Sequence, residues 1–237
     1  MVARGAKGAM VLNSYLVPYM LVVYLIVCVW ILVFYPKMLW DGLILIYKSA
    51  FDTRALLGGG MGSAIKYGVT RGLFSNEAGM GSSTMIHARS NNTPHNEGML
   101  GVIEVIIDSV VMCYISGVIL VMSGIPVSLQ NATLYLFEGF KVFLGPFAIP
   151  FVTLSLMLFG LSSIMGWYVF GCECLRYISK GKVLQVLFTG IFLVFIFIGS
   201  VGNVLELFLL SDILNAVLVI LNMYACMKLL PLVRREY

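Results

Sequence analysis

The residues best placed to do chemistry lie in one stretch, Arg71-Gly72-Leu73-Phe74-Ser75-Asn76-Glu77-Ala78-Gly79-Met80-Gly81-Ser82-Ser83, with apolar sequence on both sides. Glycine at 72, 79 and 81 weakens helical backbone. The short polar side chains of Ser75 and Asn76 compete for nearby backbone groups. Glu77 sets an ionisable carboxyl in the middle. An unwound stretch frees backbone carbonyls, which suit a hard cation such as sodium, and amides at a half-helix N-terminus, which suit a carboxylate. Polar, glycine-rich backbone at membrane depth survives only where it lines a cavity or is buried in protein, and an intramembrane ionisable residue marks a functional site by default. The stretch therefore predicts a discontinuous transmembrane helix, interrupted over 74–79, that holds a small solute or an ion.

A second set of candidates lies further on. Ser162 and Ser163 are neighbours, and Trp167, four residues after Ser163, shares its helix face. Together they could close a small amphiphilic pocket. Serines in membrane helices also bond their own i−4 carbonyl or pack closely, and a tryptophan can equally be an anchor. Glu104 and Asp108, spaced i,i+4, share a face that must meet protein or water rather than lipid. They could relay protons, hold a cation, or simply make an interhelical hydrogen bond; Asp212 with Asn215 offers the same choice. His87 and His95 have no visible triad or metal partner. The five cysteines, at 28, 113, 172, 174 and 226, have no zinc-like spacing with a histidine. Cys172 and Cys174 would diverge by about 200° on a helix, which favours ordinary packing over chelation. No nucleophile–base or metal constellation supports an enzyme.

The elements that must carry these residues follow from composition. Of 237 residues, 60% are hydrophobic and 11% charged, with mean hydropathy +0.99; a soluble domain carries about 25% charge. An all-α integral membrane protein is expected. The apolar run 12–34 is long enough to span rather than be a cleaved signal. Six spans are read at 13–35, 61–88 (interrupted), 99–123, 147–177, 183–201 and 206–230. Residues 37–60 read as an interfacial helix with a Gly58-Gly59-Gly60 hinge, and a short helix is expected over 134–143. Alternating the ends puts nine cations (Arg4, Lys7, Arg89, Arg176, Lys180, Lys182, Lys228, Arg234, Arg235) on one side and four (Lys37, Lys48, Arg54, Lys141) on the other. Both termini are then cytoplasmic, in a multi-pass protein of the cytoplasmic membrane. The net charge of +4 follows from this loop orientation rather than from a nucleic-acid partner.

The motif Gly68-x-x-Arg71-Gly72-Leu-Phe-Ser-Asn-Glu-Ala-Gly79-Met-Gly81-Ser82, followed by His87-Ala88, resembles the signature of the alanine or glycine:cation symporter family. Ile107-Asp108-Ser109, the run from Phe159 through Ser162, Ser163 and Trp167 to Cys174, and Ser211-Asp212-Ile-Leu-Asn215-Ala216 resemble its later helices in consistent order. The resemblance implies a LeuT-type fold of two inverted five-helix repeats, of which this chain carries helix 5 and the second repeat. It implies that Phe74, Ser75 and Asn76 sit at the substrate, that Ser163 and Trp167 line the same pocket, and that Ser162 and Ser163 help hold sodium. Glu77, Gly79, Gly81 and Asp108 would then shape and couple the site. The partners implied are a small neutral amino acid, sodium as the coupling ion, and the lipid bilayer.

Departures exist. The family loop commonly reads His-Pro-x-x-Gln-Gly where this chain has Pro94-His95-Asn96-Glu97-Gly98, and threonine commonly stands at the positions of Ser109 and Ser163. Nothing resembles helices 1 to 4, so the chain looks like the C-terminal half of a symporter whose N-terminal half is separate or missing, with Met1 an internal or shifted start. Two functions are expected from these observations. One is the C-terminal part of a sodium-coupled alanine or glycine symporter working by alternating access. The other is a non-transporting membrane remnant or scaffold that binds a partner.

Overall fold

The computed structural model describes residues 5–51, 60–77, 79–88, 90–126, 132–179 and 181–236. Among these, every regular element is helical and none is a strand. In chain order the helices are α1 (Gly5–Phe34), α2 (Pro36–Ala50), α3 (Gly60–Asn76), α4 (Ser82–His87), α5 (Pro94–Val105), α6 (Tyr114–Met122), α7 (Ala132–Leu144), α8 (Ala148–Ile178), α9 (Lys182–Val201) and α10 (Val204–Glu236). Between α5 and α6 the backbone widens into a π-helical segment, Ile106–Cys113. Among the described residues, five helical stretches are long and apolar enough to cross a membrane: Val11–Phe34, Pro94–Met122, Thr133–Ile178, Lys182–Val201 and Glu206–Pro231. The glycine-rich hinge expected at 58–60 lies, apart from Gly60, outside the described residues, as do the orientation-setting cations Arg4, Arg54, Arg89 and Lys180.

The chain divides into two compact units: Met1–Ile65 with Ser109–Val169, and Lys66–Asp108 with Phe170–Tyr237. The first holds the densest core. Helix α1 is apolar on every side, as suits lipid. Packing therefore decides what is covered: Cys28 and Ile31, three apart, expose nothing, while Val22, Ile26 and Val33 are more than half exposed. Pro36 stops α1 because it lacks the N–H that would continue the ladder, and it then fits the first turn of α2. The buried face of α1 meets Val118, Ile119 and Met122 of α6, Phe140 and Phe143 of α7, and Ala148 and Val152 of α8. Glycines let the backbones close. A Cβ on Gly42 would lie 3.0 Å from the Met122 side chain, and one on Gly139 would lie 2.5 Å from Leu120. Two polar contacts cross between helices of this unit: the Tyr24 and Ser116 hydroxyls are 2.8 Å apart, and the Asn13 amide donates to the Ser162 carbonyl at 2.9 Å, while Asn13 Oδ1 is buried without a hydrogen-bond partner.

In the second unit α5 begins at Pro94, although the apolar pattern alone puts the start at 99. The Thr93 hydroxyl accepts from the Asn96 N–H at 3.4 Å and Pro94 occupies the first helical position, so capping starts the helix one polar turn before its hydrophobic run. Helices α8 and α9 approach closely: a Cβ on Gly171 would run into the Phe188 ring.

Candidate functional site

Helix α3 stops at Asn76 and α4 starts at Ser82. Between them the backbone turns left-handed: Glu77 has φ +54°, Gly79 φ +80° and Gly81 φ +89°. Glycine adopts this region freely, whereas an L-residue such as Glu77 is strained there. The turn is held from two sides. Locally, the Met80 N–H donates to the Glu77 carbonyl at 3.1 Å and the Thr84 hydroxyl to the Gly81 carbonyl at 2.6 Å. From α10, the Asn222 amide donates to the Gly79 carbonyl at 3.0 Å. A Cβ on Gly81 would come within 2.9 Å of Asn222 Oδ1, so glycine is needed there for space as well as for φ. Glu77 is half-buried with its carboxyl against the side chain of buried Ser82.

On one side of this turn lies a cavity of about 270 Å³ lined by Ser75, Asn76, Glu77, Ser83, Ile86, His87, Glu104, Asp108 and Phe170. The Ser75 hydroxyl donates to Asp108 Oδ2 at 2.7 Å, which ties the end of α3 to the π-helical segment. Widened π turns recur at functional sites because they re-aim side chains. With three carboxylates, hydroxyls and an amide, the walls suit a small cation or the ammonium end of a zwitterion better than an anion. Helix α4 borders the same cavity through His87, whose two ring nitrogens face Glu97 and Glu104 of α5, the latter at 3.2 Å.

The other side of α3 faces α10. Arg71 Nη2 is 2.7 Å from Asp212 Oδ2, and its guanidinium lies 4.6 Å from the centre of the Phe208 ring. Phe74 meets Phe208 edge-on, with ring centres 6.2 Å apart. Phe74, Asp212 and Asn215 line a mainly apolar cleft of about 260 Å³. Successive residues on a helix point about 100° apart, so Phe74 turns towards α10 while Ser75 and Asn76 turn towards α5.

Of the sequence-predicted site residues, Ser75, Asn76, Glu77 and Asp108 thus come together, Gly79 and Gly81 form the turn beside them, and Phe74 lines the neighbouring cleft. Ser162, Ser163 and Trp167 belong to the first unit, on α8. Ser162 is buried and its hydroxyl donates to the Phe159 carbonyl of its own helix at 3.0 Å; Ser163 and Trp167 are exposed. Cys172 is buried, and the Cys174 thiol is 3.9 Å from the Met85 sulfur. Sequence reasoning left His87 without a partner and gave Arg71 and Asn222 no role. For His87 a signal was present: Glu97 and Glu104 are seven residues apart, which puts both on one face of α5.

A family profile, described as that of the sodium:alanine symporter family, matches residues 1–237. The chain is 34% identical over 237 residues to an uncharacterized transporter of Haemophilus influenzae, covering 97% of this chain and 49% of that protein. It is 29% identical over 238 residues to the sodium/alanine symporter AgcS of Methanococcus maripaludis, covering 98% of this chain and 52% of the other. To the probable sodium/glutamine symporter GlnT of Bacillus subtilis it is 31% identical over 191 residues, covering 77% and 39%. The chain therefore spans about half the length of the curated relatives it matches.

Proposed function

Because the chain belongs to the sodium:alanine symporter family, a family of transporters and not of enzymes, we propose that it forms the broken-helix half of a sodium-coupled carrier for small neutral amino acids. Family membership and five membrane-length apolar helices make it a multi-pass membrane protein. The proposal adds a sixth crossing, made by α3, the left-handed turn and α4 in series. It also adds a LeuT-type arrangement that works by alternating access, with both termini cytoplasmic. One observation carries it: a helix that stops at Asn76 in an apolar chain, with Ser75 hydrogen-bonded to Asp108 beside a cavity of about 270 Å³. An interruption of this kind at membrane depth needs a cavity or protein around it.

In this reading Ser75, Asn76 and the amides freed at the turn hold the amino acid, and Phe74, on the neighbouring cleft, braces this end of α3 against α10 rather than touching the amino acid directly. Glu77, Gly79, Gly81 and Asp108 fix the shape of the turn. Ser162 and Ser163 supply hydroxyl oxygens to sodium, in company with residues of the full-length carrier outside the matched half. A hydroxyl that donates to a helix carbonyl, as Ser162 does, still has lone pairs for a cation. Trp167 forms a wall that admits alanine and glycine and excludes longer side chains, since overfilling a tight site is unfavourable. The scaffold reading gains nothing from the relatives, whose names describe transporters, symporters and carriers.

The test is a chimera in which residues 1–237 replace the matching half of the Methanococcus symporter. The chimera should take up alanine only with sodium. Ser162→Ala should raise the sodium concentration needed for half-maximal uptake severalfold, and Trp167→Ala should let leucine compete. A chimera that inserts normally yet shows no sodium-dependent uptake of any small neutral amino acid contradicts the proposal.

A further inference from the structure

The end of α4 is held by side chains that the transport reading leaves unused. His87 is the last residue of this six-residue helix. Its Nδ1 faces a Glu97 carboxylate oxygen, and its Nε2 lies 3.2 Å from a Glu104 oxygen. A Cβ on Gly101 would lie 3.8 Å from Nε2, so the ring sits close over the α5 backbone between the two carboxylates.

We infer that His87 is a proton-dependent clamp: with a proton on each ring nitrogen it ties α4 to two points about two turns apart on α5, through Glu97 and Glu104, and on losing one proton it releases α4 and loosens the wall of the cavity. The argument is one of donors and acceptors. A neutral imidazole has one donor and one acceptor nitrogen, and an ionised carboxylate only accepts. Two carboxylates on opposite sides of a neutral ring leave one lone pair facing another. Only the imidazolium donates to both.

The carboxylates are themselves anchored. Side chains of Ser90 and Asn92, in the loop before α5, bond to Glu97, which fixes it to the capped start of that helix. Among the described residues, the nearby charged groups have partners of their own. Asp108 of the π-helical segment accepts from Ser75 at 2.7 Å, and Glu77 of the turn is set against Ser82. On α8, which reaches α4 through Cys174 and Met85, Glu173 and Arg176 pair with each other at 2.8 Å. His87 and Glu104 both line the cavity beside Ser75 and Asn76, so release of α4 alters that cavity directly. Helix α4 is too short to persist without tertiary contacts, and both His87 contacts run to α5.

The clamp makes no use of transport, so its test stands apart from that of the carrier reading. The full chain, labelled with ¹⁵N-histidine, is titrated in lipid nanodiscs; it has two histidines, and His95→Gln leaves only the His87 signals. The expected result is imidazolium shifts on both nitrogens on the acid side of the titration, and neutral-ring shifts on the alkaline side. Backbone hydrogen exchange over residues 82–88, corrected for its intrinsic rise with pH, should accelerate about tenfold across the same titration. Replacing both carboxylates (Glu97→Gln with Glu104→Gln) should lower the titration midpoint by about one pH unit or more. These residues should then exchange fast on both sides of it. The clamp is overturned if the midpoint does not move in the double variant, or if exchange over 82–88 in the otherwise native chain ignores the titration. The second measurement decides alone where the double variant does not fold.

Discussion

The first unit's core around Cys28, Ile31, Ile119 and Phe140 and the second unit's turn from Glu77 to Gly81 use glycine for opposite purposes. In the core, Gly42 and Gly139 let helices approach until a Cβ would touch Met122 or Leu120. The result is a cluster of side chains with almost no exposed surface, beside which the Tyr24 and Ser116 hydroxyls bond across helices. In the turn, Gly79 and Gly81 supply positive φ. The helix ends, side chains from α5, the π-helical segment and α10 converge on it, and a cavity of about 270 Å³ remains open. Small residues thus exclude solvent in one place and admit it in the other. The difference is that a helix packed side by side needs only room, whereas a helix that stops must find partners for the groups it frees.

Four substitutions would break or sharpen this contrast. The largest effect is expected in the core. Phe140 exposes nothing, so Phe140→Ala should destabilise the chain by about 3–5 kcal/mol in chemical unfolding from mild detergent. Exchange over residues 82–88 should stay unchanged at native conditions. A loss below about 1 kcal/mol would mean that this core is not what stabilises the first unit. Next comes the turn. Gly81→Ala sets a Cβ at φ +89° and 2.9 Å from Asn222 Oδ1, which should cost about 1–3 kcal/mol. Its signature is faster local exchange over 79–88. Gly124→Ala, at φ +67° with open space around it, should cost less and separate the strain of φ from the collision with Asn222. The smallest effect is at Ser75. Removing its hydroxyl takes a donor from Asp108, worth about 1 kcal/mol because water can reach the cavity and replace it. A Ser75→Ala loss as large as that of Phe140→Ala would show that the site is packed like a core, and the contrast would fail.

Much of this was legible in the sequence because it is local. Composition specifies a helical membrane protein. Pro36 specifies the end of α1. The glycines with Ser75 and Asn76 specify backbone that does not continue a helix, and α3 does stop at Asn76. The short helix expected over 134–143 is α7, Ala132–Leu144. What tertiary folding alone decides was not legible. Arg71 and Asp212 are 141 residues apart, and Asn222 and Gly79 143 apart. No spacing rule links residues across such distances. The π-helical segment Ile106–Cys113 has no residue signature of its own, since it is one backbone widening within an otherwise helical run. Phe74 and Ser75 are adjacent, yet they line different hollows, because neighbours on a helix diverge by about 100°. His87 was legible only in part: the spacing of Glu97 and Glu104 fixes a shared face, but not the ring that this face receives.

The most direct test of the central claim, that the cavity beside the left-handed turn is where the amino acid binds, is thiol accessibility in an actively transporting chimera with its native cysteines replaced. Ser83→Cys puts a thiol on the wall of this cavity, and Ile26→Cys puts one on the exposed face of α1 as a control. The account predicts that a small water-soluble thiol reagent modifies position 83, that alanine slows the modification only when sodium is present, and that position 26 responds to neither. If the rate at position 83 is the same with and without alanine and sodium while uptake persists, the amino acid binds elsewhere and the account is contradicted.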